Sequence, residues 1–226
     1  MSEGATDTAL QRLGALLLHP YFAVAHRLAW SGAENIPEDG PAILAANHQS
    51  FFDPVLIGLA AGRPIIYMGT ELYYRMPVVG WFMRLFDTVP VSEKAPGPSS
   101  ISRLLRALDA GYLVGIFPEG GRTPDEQMMK PQEGVAALTL RTGCPVIPVT
   151  ISGAWRAWPT GQPLPRPAPI GLHFGDPMRF SGTSTPDRRR EVTFRVMMAV
   201  ADGFRRLERP DLAAASEGRL RRWQKP

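Results

Sequence analysis

Cysteine is almost missing from this sequence: Cys144 is the one thiol in 226 residues. An intramolecular disulfide is therefore excluded, and no Cys/His cluster has the spacing of a zinc site. A reducing compartment fits best. No run of about 18 uninterrupted apolar residues occurs, so no segment reads as a membrane span. The N-terminus lacks the basic start and cleavage site of a signal peptide. Internal repeats are absent, and so are nucleic-acid motifs: the aromatics are not interleaved with basic residues over any long span.

What is present is an ordinary globular composition, 44% hydrophobic and 20% charged. A chain of this length makes one domain, or at most two small ones, with a sizeable core. Lys and Arg number 25 against 21 Asp and Glu, a formal +4. That mild excess suits an anionic membrane surface, a phosphorylated substrate or nucleic acid, and selects none of them.

Short apolar runs alternate with helical patterns. Strands are expected at Ile43–Ala46, Arg63–Met68, Thr88–Val91, Tyr112–Phe117, Pro145–Ile151 and Gly171–Phe174. Helices are expected from Pro54 to Ala61, over Glu71–Phe86, from a cap at Ser99 or Ser100 to Gly111, over Glu133–Arg141 and over Pro186–Leu207. Trp155–Pro169 reads as irregular, and Glu93–Pro98 as a loop. Strands alternating with helices argue a single α/β domain whose central sheet is mixed but mostly parallel, flanked by helices. The division is 1–30 as an N-terminal helix pair, 31–208 as the domain and 209–226 as a basic tail containing Arg219, Arg221, Arg222 and Trp223. In Ala9–Trp30, Arg12, His19 and His26 fall seven apart and line a narrow polar stripe, with Pro20 breaking the helix in two. The broad apolar face would lie in a membrane interface with Tyr21, Phe22 and Trp30 near the headgroups, or pack on the domain. The histidines there read as solvated or interfacial.

Two stretches carry chemistry. The first runs Asn47-His48-Gln49-Ser50-Phe51-Phe52-Asp53-Pro54, directly after an apolar strand. Asp53 reads as a helix cap with Pro54 in the first turn, which leaves His48 at a strand end with a carboxylate close by. A carboxylate that fixes the tautomer of an imidazole makes a general base. A plain cap beside a loop-end histidine has the same sequence. The second stretch is Phe117-Pro118-Glu119-Gly120-Gly121-Arg122-Thr123, at the end of another buried strand, with Lys130 further along the loop. Strand ends of open α/β sheets bind ligands, and an arginine fork suits phosphate. A tight glycine turn with a surface ion pair is the competing reading. Cys144 has no nearby base and reads as structural.

These two blocks, followed by Val146-Ile147-Pro148-Val149, resemble the phospholipid/glycerol acyltransferase family, the 1-acylglycerol-3-phosphate acyltransferases. Glu71-Leu72 through Pro77, Gly80-Trp81 and Val89-Pro90-Val91 look like a further block of that family, and the resemblance covers roughly residues 30 to 180. It implies His48 and Asp53 as the catalytic pair, with Glu119, Gly120 and Arg122 binding the acceptor; Lys130 joins them as an expected contact from its place in the same loop. The Ile-Pro-Val block would support the acyl site. An N-terminal helix pair would seat the protein peripherally on the cytoplasmic face of a bilayer. The implied reaction moves an acyl group from a thioester, acyl-CoA or acyl-carrier protein, onto a lysophospholipid hydroxyl. It uses no metal, no other cofactor and no acyl-enzyme, and nucleic acid is not a partner.

Two departures weaken the phosphate contacts that the resemblance implies. Val91-Ser92-Glu93-Lys94 stands where the family commonly ends a block in arginine, and Met68-Gly69-Thr70 precedes Glu71-Leu72 where a lysine is often found. Lysophosphatidic acid is the expected acceptor, and another lysolipid, such as a lyso-aminolipid, is the alternative. Two other classes remain: a hydrolase with Ser50 as nucleophile, although no Gly-x-Ser-x-Gly elbow surrounds it, and a lipid-binding protein without catalysis.

Overall fold

The computed structural model describes residues 18–74, 80, 83, 88–91 and 97–224. Seven strands form one sheet: β1 (Ala29–Ser31), β2 (Ala42–Ala46), β3 (Ile65–Thr70), β4 (Val89–Val91), β5 (Leu113–Ile116), β6 (Val146–Ser152) and β7 (Gly171–Phe174). Their order is β1-β7-β6-β2-β5-β3-β4. Every neighbouring pair is parallel except β6 with β7. The sheet is thus mixed and mostly parallel, as the alternating pattern implies.

The helices are α1 (residues 18–26), α2 (Asp53–Ala61), α3 (Glu71–Tyr74), α4 (Pro98–Asp109), α5 (Gly134–Thr142), α6 (Ala154–Ala157), α7 (Pro186–Arg206) and α8 (Pro210–Gln224). They cover both faces, which is why β2 is apolar at every position. Ala42, Leu44 and Ala46 pack with Phe22, Leu56 and Ile57 on one side. Ile43 and Ala45 pack with Leu104, Leu108, Val135 and Val192 on the other. Gly115 in β5 is tied to this packing, because a Cβ there would run into the Tyr67 ring.

Several expectations are corrected at the ends of the chain. The described part of 209–226 is not a free basic tail: α8 buries Leu212, Ala213 and Leu220 in a cluster with Met197, Val200 and Phe204 of α7, with Ser216 buried on the same side. Those four residues fall at helical spacing, a stripe of three apolar side chains and one serine that the surrounding arginines hide in the sequence. At the other end, the described part of α1 continues through Pro20, and Trp30 lies in β1, paired in register with Leu172 of β7. Phe22 is 2% exposed and His26 is 0% exposed, so both belong to the core and not to an interface. Helix α4 is capped by Gly97 with Pro98 in its first turn, not by Ser99 or Ser100. The part of the expected N-terminal helix that falls on residues 9–17, most of the one over 71–86, and Ser92, Glu93 and Lys94 fall outside the described residues.

Candidate active site

β2 and β5 are parallel neighbours with Ala45 level with Ile116. Both leave the sheet at the same end, so the residue three positions past Ala45 meets the residue three positions past Ile116. These are His48 and Glu119. The His48 N–H donates to Glu119 Oε1 at 2.9 Å, and the His48 carbonyl accepts the Thr123 N–H at 2.8 Å. Register alone therefore joins the two blocks that sequence places 71 residues apart.

Asp53 is the first residue of α2, and Phe52 occupies the cap position, a one-residue correction to the expected cap. The reason lies in its side chain, which turns back over the loop. Its Oδ2 accepts the Gln49 N–H at 2.5 Å, the Ser50 N–H at 2.8 Å and His48 Nδ1–H at 2.7 Å. Three donors converge on this one oxygen, beside the N-terminus of α2. Asp53 is 0% exposed, whereas the His48 side chain keeps 18% of its surface. A carboxylate can only accept, so Nδ1 holds the proton and Nε2 is left as an acceptor.

The imidazole rests flat on Phe117, with centroids 4.0 Å apart and planes 18° apart. Phe117 in turn stacks over Tyr67, whose hydroxyl donates to the Pro54 carbonyl at 3.2 Å. Burial, with the Asp53 charge adding to it, holds the Tyr67 hydroxyl well above its ordinary range. It therefore remains a neutral donor. The histidine is thus fixed at its edge by a carboxylate and on its face by an aromatic column.

Glu119 has a different place from the acceptor contact expected of it. It is 6% exposed, and both carboxyl oxygens are taken by backbone: Oε1 by His48, and Oε2 by the Met129 N–H at 2.7 Å. Burial pushes its carboxyl up to about 8, against the pull of these two N–H groups. It braces the histidine loop against the loop after β5. Gly120 makes that loop turn at φ +71, and a Cβ on it would meet the Gln132 amide. The Arg122 guanidinium lies 3.5 Å over the Phe51 ring, which ties it to the histidine block through a cation–π contact. Lys130 is exposed on the same loop and joins none of these hydrogen bonds.

Three buried polar residues of the site carry no distinguishing sequence signal. Asn47 pairs both ends of its amide with the Ile151 backbone, donating to the carbonyl at 2.9 Å and accepting the N–H at 2.8 Å. Gln49, 0% exposed, donates to the Glu126 carbonyl at 3.0 Å. The Ser50 hydroxyl donates to the Trp158 carbonyl at 2.9 Å, so it is a strut and not a nucleophile primed by His48. A polar side chain after a strand looks the same in sequence whether it meets solvent or backbone. Among the described residues, no group of three or more His, Cys, Asp or Glu is placed to hold a metal ion.

The acyltransferase family model matches residues 27–152, the span from β1 to β6 that holds His48, Asp53 and Glu119. A chloroplastic 1-acyl-sn-glycerol-3-phosphate acyltransferase of Arabidopsis thaliana is 29% identical over 151 residues, 66% of this chain and 41% of that protein. A Bacillus subtilis 1-acyl-sn-glycerol-3-phosphate acyltransferase is 28% identical over 146 residues, 64% of this chain and 70% of that one. The chain thus spans about two fifths of its plant relative and more of its bacterial one. The crystal structure of the 1-acyl-sn-glycerophosphate (LPA) acyltransferase from Thermotoga maritima is similar with a TM-score of 0.70 and 26% identity, covering 89% of this chain and 78% of that one.

Proposed function

The chain belongs to the acyltransferase family, and from that premise we propose that it transfers a fatty acyl group from a thioester to the hydroxyl of a lysophospholipid, 1-acylglycerol-3-phosphate being the acceptor. The observation that carries this reading is the 2.7 Å contact between His48 Nδ1 and Asp53 Oδ2, with the carboxylate buried and the imidazole still reachable.

Nε2 of His48 takes the acceptor's hydroxyl proton as the oxygen attacks the thioester carbonyl carbon. The C–O bond forms, the C–S bond breaks, and the departing sulfur recovers a proton from the imidazolium. Asp53 holds the ring and steadies its positive charge through the transition state. No acyl-enzyme and no cofactor enter; acyl-CoA or acyl-carrier protein is the co-substrate. Arg122 supplies the fork for the acceptor's phosphate, with Lys130 as a second cation, and the Gly120 turn leaves room for backbone to approach.

The reaction is placed on the cytoplasmic face of a bilayer, with the protein peripheral to it. No helix among the described residues is long and apolar enough to cross a membrane. The support is the apolar surface on and beside α1: Val24 is 83% exposed and Tyr21 44%. Removing residues 1–30 would take Phe22 and His26 out of the core, so Val24→Glu is the cleaner probe. It should weaken cosedimentation with phosphatidylglycerol liposomes by about tenfold and leave the melting temperature in place.

The decisive experiment measures thioester consumption by wild type and His48→Ala with a long-chain acyl-CoA and a panel of lysolipids, followed by mass spectrometry of the products. Phosphatidic acid formed by wild type and reduced about 10³-fold in the variant is the expected result. Product on a different lysolipid would keep the chemistry and overturn the acceptor. Equal free-thiol release by both proteins would overturn the base.

A further inference from the structure

Glu119 is one step from the base, and Met129, which holds its Oε2, follows a residue gripped by the C-terminal helix, which lies beyond the residues that match the family. The loop after β5 runs against α8 and is gripped there at Asp125 and at Met128. Arg219 meets Asp125 with both guanidinium ends, Nη2 to Oδ2 at 2.8 Å and Nη1 to Oδ1 at 3.3 Å. The Met128 N–H donates to the Ser216 hydroxyl at 3.3 Å. The Met128 side chain, 1% exposed, is sunk in the α7–α8 cluster beside Leu212 and Leu220. The next residue along is Met129, whose N–H holds Glu119 Oε2 at 2.7 Å, while Oε1 holds the His48 N–H at 2.9 Å.

We propose that Asp125 and Arg219 are positioning residues for His48, acting through Met128, Met129 and Glu119, so that α8 sets the geometry of the base. A bidentate arginine pair is the kind of surface contact that holds a loop in place, where a single exposed pair does little. Asp125 also accepts the Gln127 N–H at 3.0 Å, so the pair fixes the bend that delivers Met128 into its socket. Against the burial that raises the Glu119 carboxyl, the Met129 and His48 N–H groups and the Arg219 charge all pull toward the carboxylate. Without that pair the loop keeps Met128 as an apolar anchor but loses its register. A displacement of the base by about 1 Å is enough to slow proton transfer.

The proposal rests on His48 being the base, and the test separates the two claims. Full-length wild type, Arg219→Ala, Arg219→Lys and Asp125→Asn are compared, with Arg221→Ala as a control from the same helix. One readout is steady-state transfer from oleoyl-CoA to 1-acylglycerol-3-phosphate; the other is amide hydrogen exchange, which needs no turnover. In Arg219→Ala, kcat should fall about tenfold with the acceptor KM within about twofold, and Arg219→Lys should regain part of the loss. The His48 and Met129 amides should exchange about tenfold faster while those of β6 stay unchanged. Unchanged kcat, a loss confined to KM, or a rise in exchange shared by β6 would each overturn the proposal. Wild type that transfers to no lysolipid would overturn the function, and amide exchange would still decide the clamp. Should Arg219→Ala fail to fold, Ser216→Ala removes only the acceptor of the Met128 N–H, and the same outcomes apply.

Discussion

His48 and His26 are both held through Nδ1 and both lie against aromatic rings, yet their surroundings fit them for opposite tasks. His26 donates Nδ1–H to the Ala168 carbonyl at 3.2 Å and takes the Tyr21 hydroxyl at Nε2. It sits among Phe22, Phe52 and Tyr21 with centroids 5.3 to 5.5 Å away. Burial lowers its pKa below the ordinary 6.5, partly offset by the Ala168 carbonyl. His48 has a carboxylate in place of the carbonyl and one ring face in place of a cage. A carbonyl fixes a tautomer but has no charge to steady an imidazolium. A carboxylate partner and an open edge are what the proposed base requires; the aromatic contacts alone make a core residue.

The strongest way to break that contrast is to give His48 the neutral partner that His26 has. Asp53→Asn retains a side-chain carbonyl for the loop but removes the charge. The three donors of the loop already share Oδ2, which the amide oxygen can replace, and the NH2 then falls where Oδ1 lies buried without a hydrogen-bond partner. A fall in kcat of about 10²-fold is expected, with KM for the acceptor nearly unchanged, because the lost interaction matters most when the ring is charged. Initial rates with a saturating acyl-CoA would show it. A variant within about threefold of wild type would mean that the carboxylate serves only the loop's backbone.

The contrast between the two histidines was only half legible in the sequence. The His48 block follows an apolar run and precedes a proline at a helix start, so its place at a strand end could be read from local pattern. The sheet class and six of its strands were visible for the same reason. Strand β1 was not, because its three residues continue an apolar stretch that reads as helix, and only pairing with β7 makes it extended. His26 shows helical spacing with Arg12 and His19, which points to solvent; its burial depends on Phe52 and on Ala168, 142 residues away. Glu119 was legible as a site residue but not in its role, since the bond to the His48 N–H exists only through the register of β2 and β5. Arg219 read as tail charge because its partner Asp125 is 94 residues off.

The difference can also be sharpened from the side of His26. A base whose pKa is depressed on folding binds fewer protons in the native state than in the unfolded one, so stability rises with pH across that interval. For His26 the interval starts at 6.5 and runs downward: its contribution is intact above 6.5 and is lost as pH falls through the folded value. His26→Phe leaves the Ala168 carbonyl without its donor and should cost about 1–3 kcal/mol at pH 8. The gap to wild type should narrow below pH 6.5, where wild type must charge a caged imidazole and the variant has nothing to titrate. Urea unfolding at several pH values measures both. A constant gap would mean that His26 is not titrating against its cage, and kcat should stay within about threefold of wild type throughout.

The smallest effect belongs to Ser50, which lies between the two environments: Phe52, two positions on, touches the His26 ring, while the Ser50 N–H donates to Asp53. Its hydroxyl donates to the Trp158 carbonyl at 2.9 Å and accepts the Phe52 N–H at 3.3 Å. Ser50→Ala removes both bonds but keeps the Ser50 N–H on the Asp53 carboxylate, so the tether of the base is untouched. The expected cost is about 1 kcal/mol of stability, with kcat lowered less than about threefold. A serine nucleophile would instead lose nearly all turnover on losing its oxygen. Loss on that scale in a folded Ser50→Ala would move the reactive centre from the imidazole edge to the hydroxyl, and Asp53 and His48 would then have to be reread as its activating pair.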